Sequence, residues 1–119
     1  MIESIASATP VYLYRDAVDF RKSINGLSVI VQDAMTLDVF SSALFVFCNR
    51  NRRQVKILYW QKNGFCLWLK RLEKDKFAWP RKAADGTLTI DQSQLNWLLD
   101  GFDIFKHPPH ETLHFRYTG

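Results

Sequence analysis

Residues 44 to 73 leave this chain few ways to fold. "ALFVFCN" and "QVKILYW" are two β-rich runs separated only by "RNRR", and a polar joint of that length suits a hairpin. In the second run Val55, Ile57 and Tyr59 point one way while Lys56, Leu58 and Trp60 point the other, as alternate residues of a strand must. "QKNGF" follows, and Asn63-Gly64 is the strongest short hairpin signal in the chain. It should return the chain into "FCLWLKRLE". Phe65, Leu69 and Leu72 also share a helical face, so helix is the competing reading of residues 65–73; the preceding turn and the aromatic content favour strand.

Around this hairpin series the patterning is mixed. "PVYLYRD" alternates Val11 and Leu13 with Tyr12 and Tyr14 and reads as a short strand. Ile24, Leu27, Ile30, Val31, Ala34 and Met35 recur at three- and four-residue steps, which predicts an amphipathic helix over 22–36 with Asp19 as N-cap. Gly26 inside that helix costs about 1 kcal/mol relative to Ala, so close packing against a neighbouring element is expected there. "EKDK" should turn the chain into "KFAWP", which Pro80 stops. "ADGTLTI" is a turn and strand, and "DQSQLNWLLDG" is a helix with Asp91 as N-cap, Gln94 at the capping-box position and Gly101 as its stop. The expected fold is α+β: a small, mostly antiparallel sheet ordered as a meander, with one early and one late helix. At 119 residues the chain fits one domain, read as 10–104 between an N-terminal arm (1–9) and a C-terminal tail (105–119).

Charge is distributed unevenly. Residues 50–82 carry eleven basic and two acidic side chains, a local net charge of +9, whereas the segments before and after sum to −2 and −3. Such a block attracts a polyanion, and a solvated basic face is the plainer alternative. Arg50, Arg52 and Arg53 cluster at the first hairpin tip, where arginine forks can hold phosphate oxygens; Lys56 follows in the strand, and Lys70, Arg71, Lys74, Lys76, Arg81 and Lys82 come from later elements. Arg21 and Lys22 stand at the entry of the early helix, where cations oppose the macrodipole, so they suit an anion site for a phosphate or an acidic partner. Local pairing of Arg21 with Asp16 or Asp19 would equally account for it. Trp60, Trp68 and Trp79 are expected in the core rather than as a stacking platform for bases.

Other chemistries find less support. "HETLH" (His110–His114) fits the spacing of a zinc-binding helix, with His107 as an additional ligand, but it follows Pro108-Pro109 and stands five residues before the C-terminus, so no metal site is expected. The glycine-rich phosphate loops and the nucleophile elbow are absent, and Asp16 and Asp19 read as caps. No catalytic residue and no cofactor are expected. Cys48 and Cys66 sit in apolar runs and read as buried thiols. No apolar run is long enough to cross a membrane and the N-terminal segment carries an acid, which predicts a cytoplasmic protein with no membrane partner.

Read in order, "DFRKSINGL" (19–27), "LFVFCNRNRRQVKILYW" (44–60), "GFCLWLKRLEKDKFAWP" (64–80) and "LTIDQSQLNWLLDGFDI" (88–104) resemble the small accessory proteins of bacterial insertion sequence 66 elements. Those proteins are encoded by the second open reading frame and are often called TnpB; the resemblance does not extend to the RNA-guided nucleases of that name. It implies a non-catalytic role in transposition beside a separately encoded DDE transposase. The patterned positions are Asp19, Arg21, Lys22, Gly26 and Leu27, and later Lys70, Arg71, Leu72, Glu73, Phe77, Trp79 and Pro80. Two mechanisms remain open. One is a DNA-binding module that neutralises phosphates at element ends with the basic block. The other is an adaptor that docks the transposase or a sister accessory protein through exposed aromatic surface. Self-association through a sheet edge is compatible with either.

Overall fold

The computed structural model describes residues 8–80 and 86–106. Five strands, β1 (Val11–Tyr14), β2 (Leu44–Cys48), β3 (Gln54–Gln61), β4 (Gly64–Arg71) and β5 (Thr87–Ile90), form one sheet in the order β4-β3-β2-β1-β5. The chain is α+β as its patterning implies, with one helix before β2 and one after β5. The meander holds for β2, β3 and β4, which pair antiparallel in succession. β1 departs from it by lying parallel to β2, so the connection crosses one face of the sheet and carries α1 (Ile24–Val29), continued by a π-helical turn, Ile30–Ala34. β5 adds antiparallel to the outer side of β1, and α2 (Gln92–Leu99) returns across the opposite face.

Both faces of the sheet are therefore covered. Leu27, Val31 and Met35 pack on Phe45, Phe47 and Leu58 on one side; Leu95, Leu98 and Trp97 pack with Val46, Ile57 and Tyr59 on the other. This is why "LFVFC" does not alternate: β2 lies at the centre and all five of its residues are buried. In β3 the alternation sends Val55, Ile57 and Tyr59 to the α2 side and Leu58 to the α1 side.

Several local expectations shift. The β3–β4 turn is centred on Lys62-Asn63, not Asn63-Gly64; Gly64 is the first residue of β4 opposite Gln61, and Lys62 takes the left-handed conformation at φ +56°. Residues 65–71 are strand, which settles the helix–strand ambiguity. "KFAWP" is not a strand. It is an irregular strap held by Phe77 N–H donating to the Arg52 carbonyl at 2.7 Å and Trp79 Nε1 donating to the Tyr14 carbonyl at 3.2 Å, with both rings buried on the α2 side. Helix α1 begins at Ile24 after Ser23, whose side chain makes no cap bond; Asp19 is not the N-cap, because its carboxylate is engaged by Arg21. Gly26 does make a close approach: a Cβ there would lie 2.9 Å from the Lys22 Cβ, so the neighbour is the loop just before the helix. Just past the π turn Thr36 takes φ +53°, with Leu37 N–H donating back to the Val31 carbonyl at 2.9 Å. Helix α2 has the full capping box, Gln94 N–H to Asp91 Oδ1 at 2.8 Å and Asp91 N–H to Gln94 Oε1 at 2.9 Å, and stops at Gly101 with φ +99°. Cys48 is buried, Cys66 is half-buried, and neither forms a disulfide.

Candidate nucleic-acid interface

Strand directions decide which loops share an end of the sheet. β1 and β2 run parallel, and β3, β4 and β5 are placed so that the chain leaves β1, turns from β2 to β3, leaves β4 and enters β5 at one end. Backbone hydrogen bonds knit these loops together: Val18 N–H to the Cys48 carbonyl at 3.0 Å, Leu72 N–H to the Arg53 carbonyl at 2.8 Å and Arg15 N–H to the Gly86 carbonyl at 2.8 Å. Arg21 and Lys22, then Arg50, Arg52 and Arg53, then Arg71, Lys74 and Lys76 all belong to this end. Asp16, Asp19, Glu73, Asp75, Asp100 and Asp103 are interleaved with them, so the surface is cationic on balance and not a continuous stripe.

The β2–β3 tip is a built loop. Asn49 Oδ1 accepts from the backbone N–H groups of Arg53 and Gln54, both at 3.1 Å, and Asn51 Oδ1 accepts from Arg53 N–H at 3.1 Å. Arg52 sits at φ +62°, the left-handed region that L-residues adopt at a cost. The tip thus holds three arginines on a backbone fixed by two asparagine side chains, which the pattern "CNRNRR" encodes.

The remaining cations divide by what they already bind. Lys56 Nζ donates to the carbonyls of Phe20 at 3.0 Å and Lys22 at 2.9 Å and lies 4.8 Å from the centre of the Phe20 ring; burial pushes its pKa below the ordinary lysine value. Lys70 Nζ donates to the Leu99 carbonyl at 2.8 Å, where it also meets the negative end of α2. Both ammonium groups are thus engaged with backbone carbonyls of the fold. Arg21 clasps Asp19 through Nε and Nη2, which raises its own pKa and holds the Asp19 carboxyl down at about 2, and Arg71 donates to Glu73 at 2.9 Å across an exposed pair. Lys74 and Lys76 are exposed beside Asp100 and Gly101. Arg81 and Lys82 lie outside the described residues, as do His107 and the "HETLH" segment. Among the described residues no group of three or more His, Cys, Asp or Glu side chains could hold a metal ion, and no helix is long and apolar enough to cross a membrane.

Two more cations at this end fall outside the +9 block, as Arg21 and Lys22 do. Arg15 directly follows β1, and Lys106 ends the segment after α2; together with Arg52 they line a cleft of about 690 Å³. Only the topology joins them. At the opposite end of the sheet Phe40, Trp60 and Phe65 form an aromatic cluster with ring centres 4.9 to 5.5 Å apart, and Phe40 is 54% exposed. Trp79 and Trp97 are buried, whereas Trp60 and Trp68 are half-buried.

Residues 9–108 match the family model described as IS66 Orf2 like protein. Two proteins of Sinorhizobium fredii (strain NBRC 101917 / NGR234), both described as uncharacterised, are similar to the chain. The protein y4hO is 34% identical over 98 residues, which is 82% of this chain and 84% of y4hO. The protein y4jC is 34% identical over 86 residues, 72% of this chain and 73% of y4jC. No solved structure matches.

Proposed function

The chain belongs to the IS66 Orf2-like family, as an accessory protein of insertion-sequence transposition, and on that premise we propose that it contacts DNA through the cationic end of its sheet. The observation that carries this reading is the convergence of three loops, 15–23, 49–53 and 72–80, which gathers Lys22, Arg50, Arg52, Arg53, Lys74 and Lys76 around a rigid tip. Lys56 and Lys70 support the scaffold, and Arg21 and Arg71 reach a phosphate only by exchanging a carboxylate for it. The contact is to the DNA backbone, so it positions the protein at element ends without reading sequence, and the chemistry of strand transfer belongs to a separate transposase.

The test is fluorescence anisotropy with an element-end duplex and an unrelated duplex of equal length, across a salt series. Affinity should fall steeply with salt and differ little between the two, and reversing Arg50, Arg52 and Arg53 to Glu should weaken both alike. A folded triple variant with wild-type affinity would refute it. The aromatic cluster of Phe40, Trp60 and Phe65 favours a second reading, an adaptor that docks the transposase or a sister accessory protein. A pull-down with the cognate transposase, with and without element-end DNA, separates the two: capture that needs no DNA and is lost in Phe40→Ala supports the adaptor.

A further inference from the structure

The cleft that joins Arg15, Arg52 and Lys106 has features that backbone contact to duplex DNA does not use. The Arg15 Nε is buried and has no hydrogen-bond partner among the described residues. A guanidinium N–H removed from water without an acceptor is unfavourable, and an anion near the Arg15 side chain would offset this; Arg15 also lines the cleft. Arg52 is delivered to the same cleft by the strained residue of the tip. Lys106 comes from the turn after α2, which Asp103 closes by accepting from the backbone N–H groups of Phe105 at 3.0 Å and Lys106 at 3.3 Å. Among the described residues that line the cleft, three cations thus accompany a single carboxylate, and one Asp103 oxygen is occupied within its own turn.

The rest of the lining, Ala78, Trp79, Pro80 and Phe105, is apolar. Trp79 is held by its Nε1 bond to the Tyr14 carbonyl and is buried, while Phe105 lines the cleft with 49% of its surface exposed. Three cations beside an exposed ring match a phosphate joined to a flat aromatic group. A double helix keeps its bases stacked inside and meets a protein with the convex backbone; an unpaired nucleotide can place a phosphate and a base in one concave site. We propose that this cleft binds an unpaired nucleotide of a DNA strand, the phosphate accepting from Arg15, Arg52 and Lys106 and the base stacking on Phe105. This rests on the DNA-contact reading and sharpens it: the protein engages DNA where the duplex is opened or ends in a single strand.

The experiment uses the full chain and three labelled probes: a twelve-residue oligothymidylate, the same strand with abasic sites throughout, and a twelve-base-pair duplex. Phe105 and Lys106 are both exposed, so Phe105→Ala and Lys106→Gln leave the core untouched. Phe105→Ala should weaken oligothymidylate binding roughly fivefold or more, the range of one base–aromatic stack, and leave the abasic strand and the duplex unaffected. Lys106→Gln should weaken both single strands and lower the salt slope by about one ion. Unchanged oligothymidylate affinity in both variants, with wild-type duplex binding intact, overturns the cleft and leaves the DNA-contact reading standing. A wild-type protein that binds none of the probes overturns both.

Discussion

Lys56 tests whether the fold itself, or a ligand, accounts for a lysine in the centre of a basic block. Lys56→Met keeps the aliphatic stem and removes the charge and its two hydrogen bonds. The Phe20 carbonyl is part-buried, and loss of a charged donor there costs about 1.5–3 kcal/mol. The Lys22 carbonyl is exposed and recovers water, so it adds little. The ammonium over the Phe20 ring contributes about 0.5–1 kcal/mol more. Relief of the burial that depresses the lysine pKa offsets part of this. The net destabilisation should be about 2 kcal/mol, or about 5–10 °C in Tm for a domain of this size. Urea denaturation followed by tryptophan fluorescence measures it, with Lys74→Met as the exposed control, expected within about 0.5 kcal/mol of wild type. DNA affinity of the folded Lys56→Met protein should match wild type. Wild-type stability combined with a weakened, less salt-dependent DNA complex would refute the reasoning and return Lys56 to the ligand surface.

Lys70→Met should lose about 1–2 kcal/mol, because the Leu99 carbonyl at the end of α2 loses a charged donor; hydrogen exchange should show α2 fraying first, and uniform protection would contradict this. Gly26→Ala should destabilise by about 1–3 kcal/mol despite the better helix propensity of alanine, since its Cβ meets the rigid start of the Lys22 side chain; a gain in Tm would sink the argument. The Asp19 carboxyl titrates at about 2 because the Arg21 side chain and backbone donate to it. Its folded pKa is below the unfolded one, so the pair supports the folded loop above pH 3.8, and that support fades as pH falls and is gone below about 2. Arg21→Ala should bring the Asp19 midpoint, followed by carboxyl-carbon NMR, back toward 3.8; an unmoved midpoint would show that Arg21 is not the cause.

Local pattern carried the meander because each of its signals is contained in a few residues. "ALFVFCN" and "QVKILYW" could hardly be anything but paired strands, and the Asp91–Gln94 capping box is written in four letters. The parallel pairing of β1 with β2 was not legible: the unbroken apolar run of β2 marks a strand covered on both faces, but not which neighbour it pairs with or in which direction. Asp19 misled because a carboxylate before a helix suits capping and ion pairing equally, and Arg21, two residues on, decides between them. The cations of the +9 block were visible as types, but their partners were not: Lys56 finds carbonyls at residues 20 and 22, and Lys70 finds one at residue 99. Arg15 and Lys106 come from nearly opposite ends of the described chain, and only the assembled fold brings them to one cleft.

The insertion of β1 between β2 and β5 has a consequence for how the protein is made. β2, β3 and β4 are contiguous and need only short loops to pair, so they can form as soon as residues 44–71 have emerged from the ribosome. The α2-side face of that three-stranded unit, with Val46, Ile57 and Trp68, has only Phe77 and Trp79 of the strap to cover it until Thr87–Ile90 docks on β1 and Gln92–Leu99 folds over it. Closing Val11 onto Ile90 is a long-range step and therefore slow. A ribosome-stalled or truncated chain ending near residue 80 should present an apolar sheet and aggregate or recruit chaperones, whereas the same chain extended through residue 106 should not.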